Sequence, residues 1–280
     1  ASHFGSRHTC RADTRMWGED AVVAVKDINF NACVCEFIAM TMFVWIVAGT
    51  ATGVAGDAGW VQQVALTSGL CIMVLVYTIG HHSGGHINCA VTFGLVLAGK
   101  VGLGDLCSVP QGVANFVAQI SGSIVGATLV ALMKGTSSDK TGSLGCNMLA
   151  LDIGIGEAVL GEILGAFLLM YVVLETAVNE LSSNNRMLAP IAIGTAVYLA
   201  HSILIPVDGC SINPSRSFGT AVIASLLYAD NGSKIMAIWK DHWIFWVGPL
   251  VGATLAVGVY RVTNTTARVK ANSDKVNATE

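Results

Sequence analysis

Long apolar segments constrain this chain more than any other feature of its sequence. A helix that crosses a membrane needs about 20 largely apolar residues. Six segments approach that length, at approximately residues 33–54, 60–80, 112–133, 155–177, 188–207 and 239–262. Charged residues make up only 12% of the 280 residues, about half the share that is usual in soluble domains. The sequence therefore predicts an all-α membrane protein with six transmembrane helices.

The two halves of the chain carry the same motif at nearly the same distance from a glutamate. Asn88 follows Glu36 by 52 residues, and Asn213 follows Glu162 by 51 residues. Both asparagines stand in the pattern Ile-Asn-x-small-x-x-Phe-Gly. Three spans in each half bring the second copy in from the opposite face, so the motif indicates an inverted repeat with a site near the bilayer midplane. The repeats are predicted at about residues 33–134 and 155–262.

Each asparagine is predicted to begin a re-entrant half-helix. The apolar segments that follow, residues 90–97 and 214–227, are too short to span a membrane. Asparagine is a favoured N-cap, and Pro214 suits the first helical position. Two such N-termini, each carrying about half a positive charge, would meet in mid-membrane and repel cations, including protons. The side-chain amides of Asn88 and Asn213 could then donate hydrogen bonds to a neutral molecule between them. The alternative is that both asparagines only cap helices.

Charge around the spans predicts the orientation of the chain. Lysines and arginines precede the first span and follow the last, which places both termini in the cytoplasm, although Lys134 and Lys240 oppose this. The predicted divisions are an N-terminal cytoplasmic segment at 1–32, a channel domain at 33–262 and a cytoplasmic tail at 263–280.

Several partners and activities are not expected. A formal net charge of −3 gives no electrostatic reason to expect a nucleic-acid partner. The cysteines show no C-x-x-C spacing and are interpreted as small buried hydrophobes, so neither a metal nor a cofactor is expected. Neither H-E-x-x-H nor G-x-S-x-G occurs in the spans, and an enzyme is not expected.

Three stretches carry a resemblance to a known family. They are Ser-Gly-Gly-His-Ile-Asn at 83–88, Leu-Ala-Pro-Ile-Ala-Ile-Gly at 188–194 and Asp-His-Trp-Ile-Phe-Trp-Val-Gly-Pro at 241–249. From about Cys33 to Arg261 the chain resembles the major intrinsic proteins, or aquaporins, and most of all the plant plasma-membrane subfamily. The resemblance implies six tilted helices and two half-helices, and a passive water channel that excludes ions and protons. It also implies homotetramers in the plasma membrane, with lipid around them and one pore in each subunit.

The resemblance also implies a narrow selectivity filter. Counting from the asparagines assigns it to Ser68, His201, Cys210 and Arg216, which we call the filter set. Ser68 stands where water channels of the family usually carry phenylalanine, and it is expected to widen and polarise the constriction unless a neighbouring side chain fills the gap. Hydrogen peroxide, urea or ammonia could then pass. His201, and Ser217 in place of a family aspartate, argue against glycerol.

Two members of the filter set have further implied roles. Arg216 is implied as the cationic gatekeeper, with a structural ion pair as the alternative. Cys210 implies block by mercurials, with an ordinary buried thiol as the alternative.

The asparagine motif itself departs from the family's Asn-Pro-Ala. It reads Asn88, Cys89, Ala90 in the first repeat and Asn213, Pro214, Ser215 in the second. Losing proline at Cys89 removes a preset φ but restores a backbone N–H, so the half-helix is still expected to form.

Ionisable residues inside spans are functional or structural by default. In the family, the glutamates that match Glu36 and Glu162 accept backbone hydrogen bonds from the re-entrant loops. The alternative for this pair is ion coupling in a secondary transporter. Plant relatives carry a gating histidine where this chain has Asn184, so that pH gate is expected to be absent, with His81 and His82 as possible substitutes.

Overall fold

The computed structural model describes residues 28–99 and 108–277, and side chains as far as Asn264. Most of the predicted N-terminal segment lies outside the described residues. The predicted C-terminal tail begins inside the last helix, which continues to Asn277.

Helices account for all the regular structure of the described residues. They are α1 (Phe30–Val54), α2 (Trp60–Ser83), α3 (Cys89–Ala98), α4 (Val109–Lys134), α5 (Ile155–Val173), α6 (Ala189–Asp208), α7 (Pro214–Leu227), α8 (Gly232–Lys240) and α9 (Ile244–Asn277). A π-helical turn (Leu174–Val178) and a 3-10 segment (Glu180–Leu188) join α5 to α6. Within this part of the chain, six helical segments are long and apolar enough to cross a membrane. The predicted fold class is therefore confirmed.

The sixth span begins a few residues later than the sequence predicts. A continuous span from residue 239 was predicted, but the chain turns between α8 and α9, where the Ile244 N–H bonds to the Asp241 carbonyl at 3.0 Å. The short helix α8 is capped by Asn231 and lies against α7, where Trp239 donates to the Ser225 hydroxyl at 2.8 Å. Only the last two residues of α8, Trp239 and Lys240, fall within the predicted span, and α8 forms a separate short helix.

Glycines bring paired helices into backbone contact in both repeats. On α4, a Cβ at Gly122 or Gly126 would collide with carbonyl oxygens of α1. On α9, a Cβ at Gly252 would collide with the Ile163 carbonyl oxygen of α5, and a Cβ at Gly248 would collide with the Glu162 side chain of the same helix. The α1–α4 pair and the α5–α9 pair are thus the same packing unit used twice, and the four-residue glycine spacing serves contacts inside the chain. Small residues at such spacing allow close packing of membrane helices.

The two repeats meet where α2 crosses α6. A Cβ on Gly69 would lie 2.6 Å from the Gly194 carbonyl oxygen, and a Cβ on Gly194 would lie 2.5 Å from the Gly69 carbonyl oxygen. This reciprocal contact relates the repeats by an approximate twofold axis in the middle of the molecule. The half-helices α3 and α7 lie between the two repeats, and α3 packs against α9 while α7 packs against α4.

The outer faces of the spans are apolar. On α4, for example, Val113 and Val117 are 57% and 56% exposed. A stripe of this kind on several helices is unfavourable in water and suits contact with lipid tails. The chain is a multi-pass membrane protein.

Candidate functional site

Asn88 and Asn213 begin the half-helices, as predicted. Asn88 Oδ1 accepts from the backbone N–H groups of Ala90 at 2.8 Å and Val91 at 3.4 Å. Asn213 Oδ1 accepts from the backbone N–H of Arg216 at 3.3 Å. Each side-chain oxygen thus satisfies the free donors at a helix start. The first half-helix begins at Cys89, so the prediction that it forms without proline is confirmed.

The same two side chains also join the repeats to each other. Asn88 Nδ2 donates to the Ile212 carbonyl at 2.7 Å, and Asn213 Nδ2 donates to the Ile87 carbonyl at 2.8 Å. One amide hydrogen of each asparagine is used in this way, and the second is available to a molecule beside them. The two asparagines are therefore brought together by reciprocal bonds and do more than cap helices.

The two isoleucines before the asparagines have unusual backbone conformations. Ile87 has φ of 50° and Ile212 has φ of 42°. Positive φ is an outlier for a β-branched residue and costs on the order of 1–3 kcal/mol unless the surroundings enforce it. The conformation turns each carbonyl toward the amide of the opposite asparagine, so the strain is coupled to the pairing of the half-helices.

Glu36 holds the first loop, residues 84–88, from a fully buried position in α1. Its Oε1 accepts from the Ser83 hydroxyl at 2.6 Å and the His86 N–H at 2.9 Å. Its Oε2 accepts from the Ile87 N–H at 2.7 Å and from Gln119 Nε2 at 2.8 Å. Four donors surround one carboxylate, which leaves it no free oxygen for a transported ion.

Glu162 holds the second loop, residues 209–213, in the equivalent way. It accepts from the N–H groups of Ser211 and Ile212, both at 2.6 Å. These are the counterparts of the two backbone bonds made by Glu36. The loop-holding arrangement expected for both glutamates is present in the structure.

A cavity of about 760 Å³ runs from the paired asparagines to one end of the molecule. Asn88, Asn213 and His201 lie at its inner end, and the exposed side chains of Tyr77 and Met187 lie at its outer end. Its apolar walls include Phe43, Ile72, Val76, Leu169, Val173 and Val197. The middle of the cavity is thus largely apolar, whereas polar groups lie at both ends, with the asparagines and His201 at the inner end and His81, Glu180 and Arg186 at the outer end.

The filter set divides into one residue that lines this cavity and three that do not. His201 lines it, and His201 Nδ1 bonds to the Val197 carbonyl at 2.9 Å, which leaves Nε2 as the nitrogen available to the cavity. Ser68 is fully buried, and its hydroxyl donates to the Val64 carbonyl at 2.8 Å. Ser68, Cys210 and Arg216 do not line this cavity.

Arg216 is buried and held by a residue that the sequence analysis missed. Arg216 Nη1 donates to Asn147 Oδ1 at 2.6 Å, and the Ser217 hydroxyl donates to the same oxygen at 2.7 Å. Asn147 Nδ2 donates to the Asp208 carbonyl at 3.3 Å. Asn147 therefore links the arginine to the end of α6, and no ion pair of Arg216 is formed in the described part of the chain.

Asp139 organises the connection that carries Asn147. Its carboxylate accepts from the Thr141 N–H at 2.9 Å, from the Leu144 N–H at 2.6 Å and from the Tyr228 hydroxyl at 2.8 Å. Burial, followed by the hydrogen bond to this carboxylate, raises the pKa of the Tyr228 phenol. The connection is thus fixed to the end of α7.

The remaining motif residues lie close to the asparagines. Cys89, Pro214 and Ser215 are buried at the starts of the two half-helices. Cys210 is fully buried with φ of 55°, and its N–H bonds to Asp208 Oδ1 at 2.9 Å.

Asn184, the position at which a gating histidine is expected to be absent, lies on the surface. Asn184 is exposed in the 3-10 segment, and a neighbouring part of that segment closes on α2, where the Tyr77 hydroxyl donates to the Met187 carbonyl at 2.8 Å. His81 lines the outer end of the cavity, and its ring lies 3.9 Å from that of His82.

Comparison with known proteins agrees with this geometry. Residues 24–260 match the family described as Major intrinsic protein. The chain is 40% identical over 251 residues to a probable aquaporin PIP2-8 of Arabidopsis thaliana, covering 86% of this chain and 84% of that one. It is 38% identical over 261 residues to aquaporin-1 of Sus scrofa, covering 88% of each. The X-ray structure of the aquaglyceroporin from Plasmodium falciparum matches the fold with a TM-score of 0.70 at 20% identity, covering 82% of this chain and 95% of that one.

Proposed function

The chain belongs to the major intrinsic protein family, and we propose that it conducts water passively while excluding ions and protons. It is a channel of the aquaporin type and not an enzyme. The similarity to PIP aquaporins and aquaporin-1 supports water as the permeant.

The pairing of the two half-helices at their asparagines is the main support for this proposal. The reciprocal bonds between Asn88 Nδ2 and Ile212, and between Asn213 Nδ2 and Ile87, fix two opposed helix N-termini beside the inner end of the cavity. A water molecule there meets two amide donors, and its oxygen must accept from them. A water oriented in this way cannot also accept a proton from a neighbour along the file, and the positive ends of both half-helices disfavour any cation.

Charge beyond the asparagines supports ion exclusion. Arg216 is held near the second loop by Asn147, and among the described residues no carboxylate forms an ion pair with it. Its positive charge adds to that of the half-helix ends. The four-donor shell around Glu36 argues against the ion-coupled transporter, because this carboxylate is already engaged by the first loop and Gln119.

A broader neutral-solute channel is the second candidate, and Ser68 is the reason to retain it. Serine has a much smaller side chain than the aromatic residue that water channels of the family usually carry at this position of α2, and its hydroxyl adds a polar group there. Hydrogen peroxide has only two heavy atoms and forms hydrogen bonds much as water does, so it is expected to pass more readily than the larger urea and glycerol, and ammonia is also small enough to pass.

The oligomeric state, the membrane and the orientation of the chain are part of the same proposal. We propose a homotetramer in the plasma membrane with both termini in the cytoplasm. The PIP relatives support the membrane assignment. Native mass spectrometry and protease protection of tagged termini would test assembly and orientation.

Swelling of proteoliposomes in gradients of water, peroxide, urea and glycerol separates the two candidates. The variant Ser68→Phe is expected to keep water flux and to lose peroxide flux. Leu66→Phe is the matched control, because Leu66 is 49% exposed on the outer face of the same helix. Equal peroxide flux in Ser68→Phe and the parent would show that residue 68 does not set selectivity.

A further inference from the structure

The two repeats differ in charge at one buried position. Ser83 ends α2 and Asp208 ends α6. They are separated by 125 residues, the same separation as Asn88 and Asn213. A neutral hydroxyl in the first repeat is therefore replaced by a carboxyl in the second.

Ser83 links the first loop to its glutamate by acting as both acceptor and donor. Its hydroxyl oxygen accepts from the Gly85 N–H at 3.2 Å and its hydroxyl hydrogen is donated to Glu36 Oε1 at 2.6 Å. The donor half of this pattern is essential, because the Glu36 carboxylate can only accept.

Asp208 reproduces the acceptor half of the pattern. Its Oδ1 accepts from the N–H of Cys210, the counterpart of Gly85, at 2.9 Å. The residue is 1% exposed, and its Oδ2 is buried without a hydrogen-bond partner among the described residues. A buried carboxylate oxygen without a donor is costly. A proton on Oδ2 would turn this oxygen into a donor.

The natural acceptor for that proton is Glu162. The three successive N–H groups of residues 210–212 are divided between the carboxyls of Asp208 and Glu162, so both carboxyls lie against one short loop. Two ionised carboxylates in such a position repel each other, whereas one shared proton removes the repulsion and adds a hydrogen bond.

No neighbouring cation forms an ion pair with the carboxyls of Asp208 and Glu162 among the described residues. Among the described residues, the other titratable or charged groups that face the pair are the Cys210 thiol from the loop and the Arg216 guanidinium from α7, while Cys146 faces Arg216. Neither carboxyl forms an ion pair among the described residues, and Arg216 Nη1 donates to Asn147.

We propose that Asp208 and Glu162 bind one proton between them, and that Asp208 donates it to Glu162 as Ser83 donates to Glu36. The proton then fastens the second loop, whose residues Gly209, Cys210 and Ile212 all have positive φ. Its release to water would leave one more negative charge behind the filter set and weaken the barrier to cations. That last consequence rests on the proposed function, whereas the shared proton does not.

Infrared spectroscopy of the full chain with carbon-13 aspartate tests the shared proton directly. A carbonyl band of a protonated carboxylic acid, shifted by the label and absent in Asp208→Asn, is expected at neutral pH. If Asp208→Asn removes no such band, the proposal is overturned, whatever the protein conducts.

A pair of variants tests the donor role without measuring transport. Asp208→Ser copies the first repeat and is expected to keep the thermal unfolding midpoint near that of the parent. Asp208→Ala lacks a donor and is expected to unfold at a lower temperature. Equal midpoints for these two variants would contradict the donor role.

Cation leak in proteoliposomes tests the consequence for transport. In the parent, leak is expected to rise only in the pH range where the infrared band disappears, and this pH dependence is expected to be lost in Asp208→Asn. A leak that rises while the band persists would refute the link between the proton and the barrier. Water flux measured on the same vesicles distinguishes this failure from failure of the channel assignment.

Discussion

Replacing Glu36 by glutamine is expected to release the first loop. The carboxylate accepts four hydrogen bonds, two on each oxygen, at 2.6 to 2.9 Å. Glutamine keeps one acceptor oxygen but turns an NH₂ group toward two donors, so two of the four bonds are lost. Hydrogen bonds to charged groups contribute about 1.5–3 kcal/mol each, which gives about 3–6 kcal/mol for the substitution.

Loss of these hydrogen bonds is expected to affect the pore, because the strained residue Ile87 lies in the first loop. Ile87 keeps its positive φ only while its N–H is bound by Glu36 and its carbonyl is bound by Asn213. When the first bond is gone, the carbonyl can turn away from Asn213, and water flux should fall with stability.

The assay compares denaturant unfolding in detergent with stopped-flow water flux in proteoliposomes. Glu157→Gln is the control, because Glu157 is an exposed glutamate near the start of α5, where loss of a charge at a helix N-terminus costs only about 0.3–1 kcal/mol. If Glu36→Gln were no less stable than Glu157→Gln and conducted water normally, the assigned role of Glu36 would be wrong.

Three further substitutions test packing and the filter set. Gly252→Ala places a methyl group against an α5 carbonyl and should cost about 1–3 kcal/mol, whereas Gly258→Ala on the open face of the same helix should be neutral or stabilising by up to about 1 kcal/mol. The same unfolding assay compares them, and equal costs would contradict the helix contact. Asn147→Ala leaves Arg216 Nη1 without its acceptor and should reduce stability by about 1–3 kcal/mol. It should also raise urea flux relative to water flux in vesicles, and an unchanged ratio would exclude Asn147 from positioning the arginine. Cys210→Ser should abolish mercurial block of water flux, and block that persists would assign the thiol elsewhere.

The half-helices and their asparagines were predictable because local chemistry determines them. Asn88 and Asn213 are N-caps before short apolar segments, and the same phase in both repeats places them opposite each other. Glu36 and Glu162 stood out because a carboxylate inside an apolar span is functional or structural by default, but their contacts with the loops were expected only from the family resemblance.

Residues whose role depends on distant contacts were not predictable in the same way. Asn147 lies in an irregular connection, and only the folded chain brings its side chain to Arg216. The turn before α9 was missed because residues 241–243 contain neither glycine nor proline, the residues that most often mark such a break. Asp208 could have been found, because aligning the repeats at a separation of 125 residues sets it opposite Ser83.

The most direct test measures water and proton flux together in vesicles that contain the purified chain and a pH-sensitive dye. We expect water flux well above that of empty vesicles in an osmotic gradient, with no added proton flux in a pH gradient. Vesicles no more permeable to water than empty ones, or protons crossing together with water, would contradict two opposed half-helices that orient a single file of water at Asn88 and Asn213.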